Sequence, residues 1–165
     1  MSARARGGGA RVEDGVRVVA TNRRARFDFA VEDTWEAGLV LTGSEVKSLR
    51  EGNVNLSDAY AQPRGVELFL MNCRIGEYKQ AAHFGHAPLR DRKLLMSRAE
   101  IDRIAGKVEQ RGYALVPLRI YFKEGWAKVE LGLGKGRAHA DRREAIAERE
   151  SRREIDRALS RGRRR

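Results

Sequence analysis

Three stretches of the sequence carry residue types that could perform catalysis or bind a cofactor. His83 and His86 in AAHFGHAP have a spacing found among metal ligands, but no Cys and no third His lies nearby. GLGKG at 132–136 lacks the Ser or Thr that follows the Lys of a magnesium-binding phosphate loop. Cys73 is predicted to lie in a strand as a small core residue. The carboxylates form no acid–base pair. We therefore expect no catalytic residue, no metal and no cofactor.

Arginine-rich stretches are the stronger signal, because guanidinium groups bind phosphate oxygens. NRRAR at 22–26 could meet phosphates through its three arginines, although a solvated turn is equally consistent with this composition. RDRKLL at 90–95 precedes a predicted helix, and cations beside a helix N-terminus favour phosphate; its cations are Arg90, Arg92 and Lys93. Tyr121 and Trp126 could stack on bases, but core positions are the more common outcome.

The net charge of +11 lies entirely at the two ends of the chain. Residues 1–26 carry a net charge of +5 and residues 134–165 a net charge of +6, whereas residues 27–133 are neutral. This distribution favours a folded body with basic arms for a polyanion. No stretch resembles a membrane span or a signal peptide, so nucleic acid is the preferred partner and no membrane is expected. A single cysteine is consistent with the reducing cytoplasm.

The elements that would position these residues are mostly strands. FDFAV and WEAGLVL are typical of extended chain. A hairpin is predicted in residues 58–75 with its turn at 62–65, and a second in residues 113–133 with its turn at 123–125. Pro117 cannot donate to a ladder, so its strand is predicted to be an edge or to be bulged there.

Two helices complete the predicted body. Thr42 with Glu45, and Ser97 with Glu100, have the spacing of capping boxes. The prediction is a mostly β fold with inserted helices, an OB-like closed or partly open antiparallel β-barrel. Residues 1–20 are predicted to be a flexible basic arm, residues 21–133 the RNA-binding barrel, and residues 134–165 a basic tail. GLGKG, at the junction between barrel and tail, would be a flexible exit from the barrel.

Several segments, taken together, resemble one family. NRRARFDF, EAGLVLTGSEVKSLREGNVNLSDAY, RDRKLL, GYALVPLRIYFKEGWAKVELGLGKG and DRRE followed by ERE are similar to the SmpB (SsrA-binding, tmRNA-binding) proteins, over about residues 20–153. The resemblance implies a non-enzymatic adaptor of trans-translation. It would bind the tRNA-like part of tmRNA, deliver it to stalled ribosomes and place its tail in the decoding site. The implied partners are tmRNA and the ribosome with its 16S and 23S rRNA, and indirectly elongation factor Tu and alanyl-tRNA synthetase. A monomer is expected.

The resemblance also implies RNA-contacting residues at five positions, which are Asn22, Glu36, Leu95, Ser97 and Lys128. Relatives often carry Asn where this chain has Ser97, a residue that also caps helices well. Glu36 would accept hydrogen bonds from base edges or orient an Arg, Leu95 would contact an unstacked base, and Lys128 would reach a phosphate. The full predicted tmRNA-binding set is Asn22, Arg23, Arg24, Arg26, Glu36, Arg92, Lys93, Leu95, Ser97 and Lys128.

The tail departs from the family pattern at one position. Relatives often place Tyr or His before an Asp-Lys-Arg triplet, whereas this chain has Ala140 before Asp141-Arg142-Arg143. Either His139 supplies the missing ring in a shifted register, which we prefer, or Arg142 compensates. The predicted decoding-site set is Lys135, Arg137, His139, Asp141, Arg142 and Arg143. Like charges repel along the tail, so it is predicted to be frayed and partly helical when free, and ordered on the ribosome.

Two alternatives remain at this stage. A general OB-like RNA-binding or ribosome-associated protein would bind single strands as well as a folded tRNA-like RNA, because phosphate contacts are blind to sequence. A nuclease or metal enzyme would use His83, His86 and nearby acids, and would lose a hydrolytic activity when both histidines are replaced.

Overall fold

The computed structural model describes residues 12–13, 15–81, 85–137 and 139–162. Six antiparallel strands, β9-β10-β3-β8-β6-β5, form a ring that closes where β5 pairs back onto β9, and β1 and β2 extend the sheet beside β9. The predicted OB-like, mostly β class is confirmed. The strands are β1 Val12–Glu13, β2 Val16–Thr21, β3 Phe29–Leu39, β4 Val54–Asn55, β5 Tyr60–Arg64, β6 Glu67–Met71, β7 Arg74–Ile75, β8 Arg92–Leu95, β9 Tyr113–Lys123 and β10 Trp126–Gly136. The helices are α1 Ala25–Asp28, α2 Gly43–Arg50, α3 Arg98–Val108 and α4 His139–Gly162, with a short 3-10 turn at Lys79–Ala81.

The β9–β10 hairpin is the longest pairing in the ring. Lys123 pairs with Trp126 across a two-residue turn, in which Glu124 and Gly125 have φ of 52° and 81°. Positive φ at both turn residues matches the twist of antiparallel strands, and the predicted turn is confirmed. Pro117 pairs with Leu131 beside a register shift, so the strand is bulged there rather than an edge.

The GLGKG stretch is part of β10, and the prediction of a flexible exit was wrong. A side chain at Gly134 would place its Cβ 2.6 Å from the carbonyl oxygen of Ala30, and one at Gly132 would lie 3.0 Å from Leu118. These glycines therefore allow close packing of neighbouring strands and side chains. Because β10 continues to Gly136, the ring extends beyond the boundary predicted at residue 133.

Both predicted capping boxes are present. The side chain of Thr42 accepts from the backbone N–H of Glu45 while Glu45 accepts from the backbone of Thr42, and Ser97 and Glu100 repeat this arrangement at α3. These reciprocal bonds satisfy N–H groups that a helix start leaves free. They fix where each helix begins relative to the strands.

Three strand predictions need correction. The first hairpin turns at Gly65 and Val66 rather than at 62–65, since Arg64 pairs with Glu67. β2 lies within residues predicted to be a flexible arm, and it pairs with β9. β8 lies in RDRKLL, where no strand was predicted. β8 is only four residues long and begins with two cations, and β2 follows an arginine- and glycine-rich stretch that is typical of a flexible arm.

Helix α4 is continuous from His139 to Gly162, where the sequence predicts partial helix. Arg152 donates to Glu148 at 2.9 Å, one turn earlier. The helix contacts the sheet domain at α1. How much of this helix persists in the free protein stays a prediction. No helix among the described residues has the length and apolar character needed to span a bilayer.

Candidate nucleic-acid interface

One face of the ring brings together three of the predicted RNA-binding residues. Leu95 on β8 pairs with Gly38 on β3, and Gly38 pairs with Lys128 on β10. Glu36 lies two residues before Gly38, so both point to the same side of the strand. Leu95 is 55% exposed, which excludes the core position that an isolated leucine would otherwise suggest. We call Glu36, Leu95, Trp126 and Lys128 the outer-face site.

Gly38 allows Leu95 to lie flat across the sheet. A Cβ on Gly38 would stand 3.2 Å from the Cβ of Leu95, closer than side chains ordinarily approach. Val40 is also exposed, and together these residues line an apolar groove beside Trp126. An exposed apolar groove bordered by charge is an expected feature of a surface that binds another molecule.

Glu36 is held by two partners on one of its oxygens. Tyr121 donates its hydroxyl to Oε2, and Lys123 Nζ lies 3.6 Å from the same atom. The hydrogen bond from Tyr121, aided by Lys123 and Lys128, lowers the pKa of Glu36, so the carboxylate is ionised at neutral pH. Burial and the hydrogen bond to this carboxylate raise the pKa of Tyr121. Oε1 has no hydrogen bond among the described residues and remains available as an acceptor.

Trp126 lies on the surface, whereas the sequence favoured a core position. The indole is 72% exposed, although a core position was preferred. Its place directly after the Glu124–Gly125 turn was the available signal, because residues at the end of a hairpin protrude from the ring. Tyr121 is buried, so it supports Glu36 and offers no open ring face for stacking.

Arg92 is not a surface cation, and its predicted contact with RNA is corrected. Its side chain is fully buried; it pairs with the buried carboxylate of Glu45 and donates to the carbonyls of Cys73 and Pro88. Arg90 donates to the other oxygen of Glu45 at 2.6 Å. Backbone and arginine hydrogen bonds outweigh burial and lower the pKa of Glu45 to about 2. This cluster joins α2 to β8 inside the body.

Lys93 and Ser97 flank Leu95 along the chain. Lys93 remains half exposed, but its ammonium lies 2.8 Å from a carboxylate oxygen of Glu67, so RNA would have to compete with that ion pair. Ser97 is exposed and already occupied as the cap of α3. The proposed RNA contact of each residue is therefore additional to a structural role.

Asn22 has a structural role beside the middle of β9, where its backbone N–H donates to the carbonyl of Leu118. Its side-chain amide donates to the carbonyls of Leu56 and Pro117, and its oxygen accepts from the backbone of Ala25. The residue is only 8% exposed. These bonds fix the start of the short helix α1, while Arg23 and Arg24 before it and Arg26 within it stay exposed. Asn22 thus positions these arginines, and its contact with RNA stays a prediction.

The outer-face site lies far from Lys135 and Arg137 of the predicted decoding-site set, whereas Arg23 and Arg26 of the predicted tmRNA-binding set lie beside Arg137. Lys128 pairs with Gly38 near one end of the β3–β10 ladder, and Gly136 pairs with Phe29 at the other. Eight residues of strand separate the ends, a distance of about 27 Å. Lys135 and Arg137 lie at the far end with α1. Arg143 is exposed on α4, whereas the side chains of His139, Asp141 and Arg142 lie outside the described residues.

The histidine pair gives no support to a metal site. His86 is buried, with Nδ1 2.8 Å from the hydroxyl of Ser44 and Nε2 3.0 Å from the carbonyl of Ile75. Both ring nitrogens therefore have structural partners, while His83 lies outside the described residues. Within the described part of the chain, no three His, Cys, Asp or Glu side chains form a metal-binding group. Burial raises the pKa of the Cys73 thiol to about 11, as for a core cysteine.

The ring of strands with its outer-face site and basic end defines the chain as an OB-like domain with a charged helical extension. The SmpB protein family matches residues 19–161, and the chain belongs to this family. The SsrA-binding protein of Anaeromyxobacter dehalogenans strain 2CP-C is 81% identical over 158 residues, covering 96% of this chain and 97% of the relative. That of Myxococcus xanthus strain DK1622 is 63% identical over 149 residues, covering 90% and 92%.

A solved structure gives the same assignment. It is described as "tmRNA-SmpB: a journey to the center of the bacterial ribosome", and it matches this chain with a TM-score of 0.63 and 45% sequence identity. The match covers 77% of this chain and 93% of that chain. The similarity therefore extends over most of the folded body.

Proposed function

We propose that this protein is an RNA-binding adaptor of trans-translation. It binds the tRNA-like part of tmRNA, carries it to ribosomes that have stalled, and occupies the decoding site with its tail. The observation that carries this proposal is the outer-face site, where a fixed carboxylate, an ammonium group and two exposed apolar side chains meet on one rigid sheet. This combination of apolar and charged groups suits an RNA with splayed bases better than a protein surface of cations alone would.

Each residue of the outer-face site has a distinct proposed task. Oε1 of Glu36 accepts from the N–H edge of a base, since Tyr121 and Lys123 already occupy Oε2. Lys128 binds a backbone phosphate and partly offsets the repulsion between Glu36 and the RNA. Leu95 and Trp126 contact the faces of unstacked bases. Specificity then comes from the carboxylate and the apolar surface, and position from the lysine.

The far end of the ring serves the ribosome in this proposal. The separation of about 27 Å along β10 lets the body hold tmRNA while the tail reaches another RNA. Lys135, Arg137 and Arg143 supply positive charge, and His139, Asp141 and Arg142 contact the empty decoding site. The tail is frayed when free and becomes helical there, because rRNA neutralises its repelling arginines.

The protein acts as an adaptor and makes or breaks no bond itself. Its place of work is the cytoplasm, where ribosomes stall. Elongation factor Tu and alanyl-tRNA synthetase would meet it indirectly, through the RNA they share. The alternative is a general RNA-binding protein, which would use the basic end alone and would not need Glu36, Leu95 or Trp126.

Reconstituted translation on an mRNA without a stop codon tests the proposal. With tmRNA and elongation factor Tu present, adding the protein should yield tagged, released peptide. Lys128→Ala should reduce tagging at limiting protein, whereas Lys79→Ala, an exposed lysine outside the outer-face site, should not. Absence of tagging with the parent protein would contradict the function. Equal tagging by Lys128→Ala and Lys79→Ala would contradict the role of the outer-face site but not the adaptor function.

A further inference from the structure

A second charged surface lies between α1 and α4, at the far end from the outer-face site. We call it the arginine groove, and it is lined by Arg23, Arg26, Phe27, Arg137, Glu148, Arg149 and Arg152. Five guanidinium groups thus surround one carboxylate. Glu148 is already paired with Arg152 at 2.9 Å, so its charge is largely compensated within the helix. The other arginines of the groove form no ion pair among the described residues.

Arg137 lies between the two walls of the groove and has one side-chain donor without a partner among the described residues. Its backbone N–H donates to the carbonyl of Asp28 at 2.8 Å, which ties the approach to α4 directly to the end of α1. Its side-chain Nε is inaccessible to solvent and has no hydrogen-bond partner among the described residues. A buried donor without an acceptor is costly, particularly on a charged group. Because the surrounding side chains are mostly cationic, an anion is the acceptor that this position favours.

The position of α4 against the body brings like charges together. Docking the helix brings Arg149 and Arg152 towards Arg23 and Arg26 of the body, and these like charges repel. Phe27 supplies the apolar contact within the groove, but one phenyl ring offers little area to hold a helix of 24 residues. Docking in this position therefore favours a counter-charge, and the described residues supply only that of Glu148, which is paired with Arg152.

We propose that the arginine groove binds a phosphodiester of RNA, and that this phosphate fixes α4 against α1. Guanidinium groups on both walls can form bidentate hydrogen bonds with phosphate oxygens, so that a bound phosphate bridges the body and the tail. The inference rests on the proposed function, because it assumes an RNA partner. It adds that the direction of the tail relative to the body is set by an RNA phosphate.

Spin labels on the full chain can measure the docking. Cys73 is buried, so the labels would attach to cysteines introduced at exposed positions, Asp58→Cys on the body and Ser160→Cys near the end of α4. Without RNA, we expect a broad distance distribution. Adding either the tRNA-like domain of tmRNA or small ribosomal subunits should produce one narrow distance, and the source that does so identifies the bound RNA. No narrowing with either RNA would overturn the proposal.

Paired variants separate the groove from general charge. Arg149→Gln with Arg152→Gln, or Arg23→Gln with Arg26→Gln on the other wall, should keep the distribution broad with the RNA that narrows the parent. Each should also lower the slope of log affinity against log salt by about one unit for that RNA. Arg153→Gln with Arg157→Gln, the same charge change on α4 outside the groove, should leave the narrow distance intact. Equal effects from groove and control variants would refute the groove.

The readouts distinguish this inference from the proposed function. If the parent binds neither RNA, the proposed function itself is wrong. If the parent binds RNA and supports tagging while the tail distance stays broad, only the arginine groove is wrong. Far-UV circular dichroism of each variant checks that its body remains folded.

Discussion

The buried ion pair between Glu45 and Arg92 offers the sharpest test of how the body is held together. Both side chains are fully inaccessible, and the pair joins α2 to β8 across 47 residues of sequence. Glu45→Gln removes the negative charge and leaves Arg92 buried without its counter-ion. Losing one member of a buried pair costs about 3–5 kcal/mol of unfolding free energy. Glu67→Gln, in the half-exposed pair with Lys93, should cost no more than about 1 kcal/mol.

The pH dependence of stability gives a second estimate of what the Glu45 carboxylate contributes to the free energy of unfolding. The pKa of Glu45 falls from 4.5 to about 2 in the folded state, which corresponds to about 3 kcal/mol. Because the folded pKa is the lower one, this stability is fully present above pH 4.5. It is lost as the pH falls towards 2, since the unfolded chain binds the proton first. The difference in stability between parent and Glu45→Gln should therefore shrink by about 3 kcal/mol between pH 5 and pH 2.

Urea unfolding at a series of pH values measures both quantities. If Glu45→Gln does not fold, the double variant Glu45→Gln with Arg92→Met should fold, because it leaves no buried charge at position 92 without its partner. A single variant within 1 kcal/mol of the parent at pH 7 would refute the reasoning. So would a difference between parent and variant that stays constant with pH.

Three further predictions concern the RNA surfaces. Tyr121→Phe removes only the hydroxyl that holds Oε2 of Glu36; the pKa of Glu36 should rise towards 4.5 in an NMR titration, and affinity for the tRNA-like RNA should fall severalfold, with an unchanged pKa contradicting the role. Trp126→Ala should cost about 1–3 kcal/mol of binding free energy by filter binding, and Trp126→Phe should recover part of it if stacking is the cause. Truncation after Arg137 should leave tRNA-like RNA affinity within about tenfold of the parent while abolishing tagging, and loss of RNA binding would contradict the separation of body and tail.

Local signals predicted much of the body correctly. The capping boxes at Thr42 and Ser97 and the hairpin turn at Glu124–Gly125 depend on residues within a few positions of one another, so the pattern is visible in the chain itself. Pro117 likewise predicted the irregular pairing, because a missing donor has the same consequence in any sheet.

The errors arose where distant residues decide the outcome. The cations of RDRKLL were predicted to favour phosphate, but the side chain of Arg92 is buried against Glu45, 47 residues earlier. GLGKG was predicted to be flexible, whereas Gly134 is required by the close approach of Ala30 from another strand. Neither partner can be identified from the local sequence.

The candidate site was predictable only in part. Glu36, Leu95 and Lys128 came from the family resemblance, and the ring of strands brings them to one face. Trp126 was assigned to the core because most tryptophans are buried there, and the support that Tyr121 gives to Glu36 depends on pairing between three strands.

Selective binding by the isolated body tests the central claim most directly. Residues 16–137 contain the whole ring and the outer-face site but lack α4. Their affinities for a folded tRNA-like RNA and for a single strand of equal length should be compared at matched salt, because charge alone cannot distinguish the two. We predict a clear preference for the folded RNA, and a weaker preference in Glu36→Ala, which removes the acceptor. Equal affinity for both RNAs would contradict the central claim.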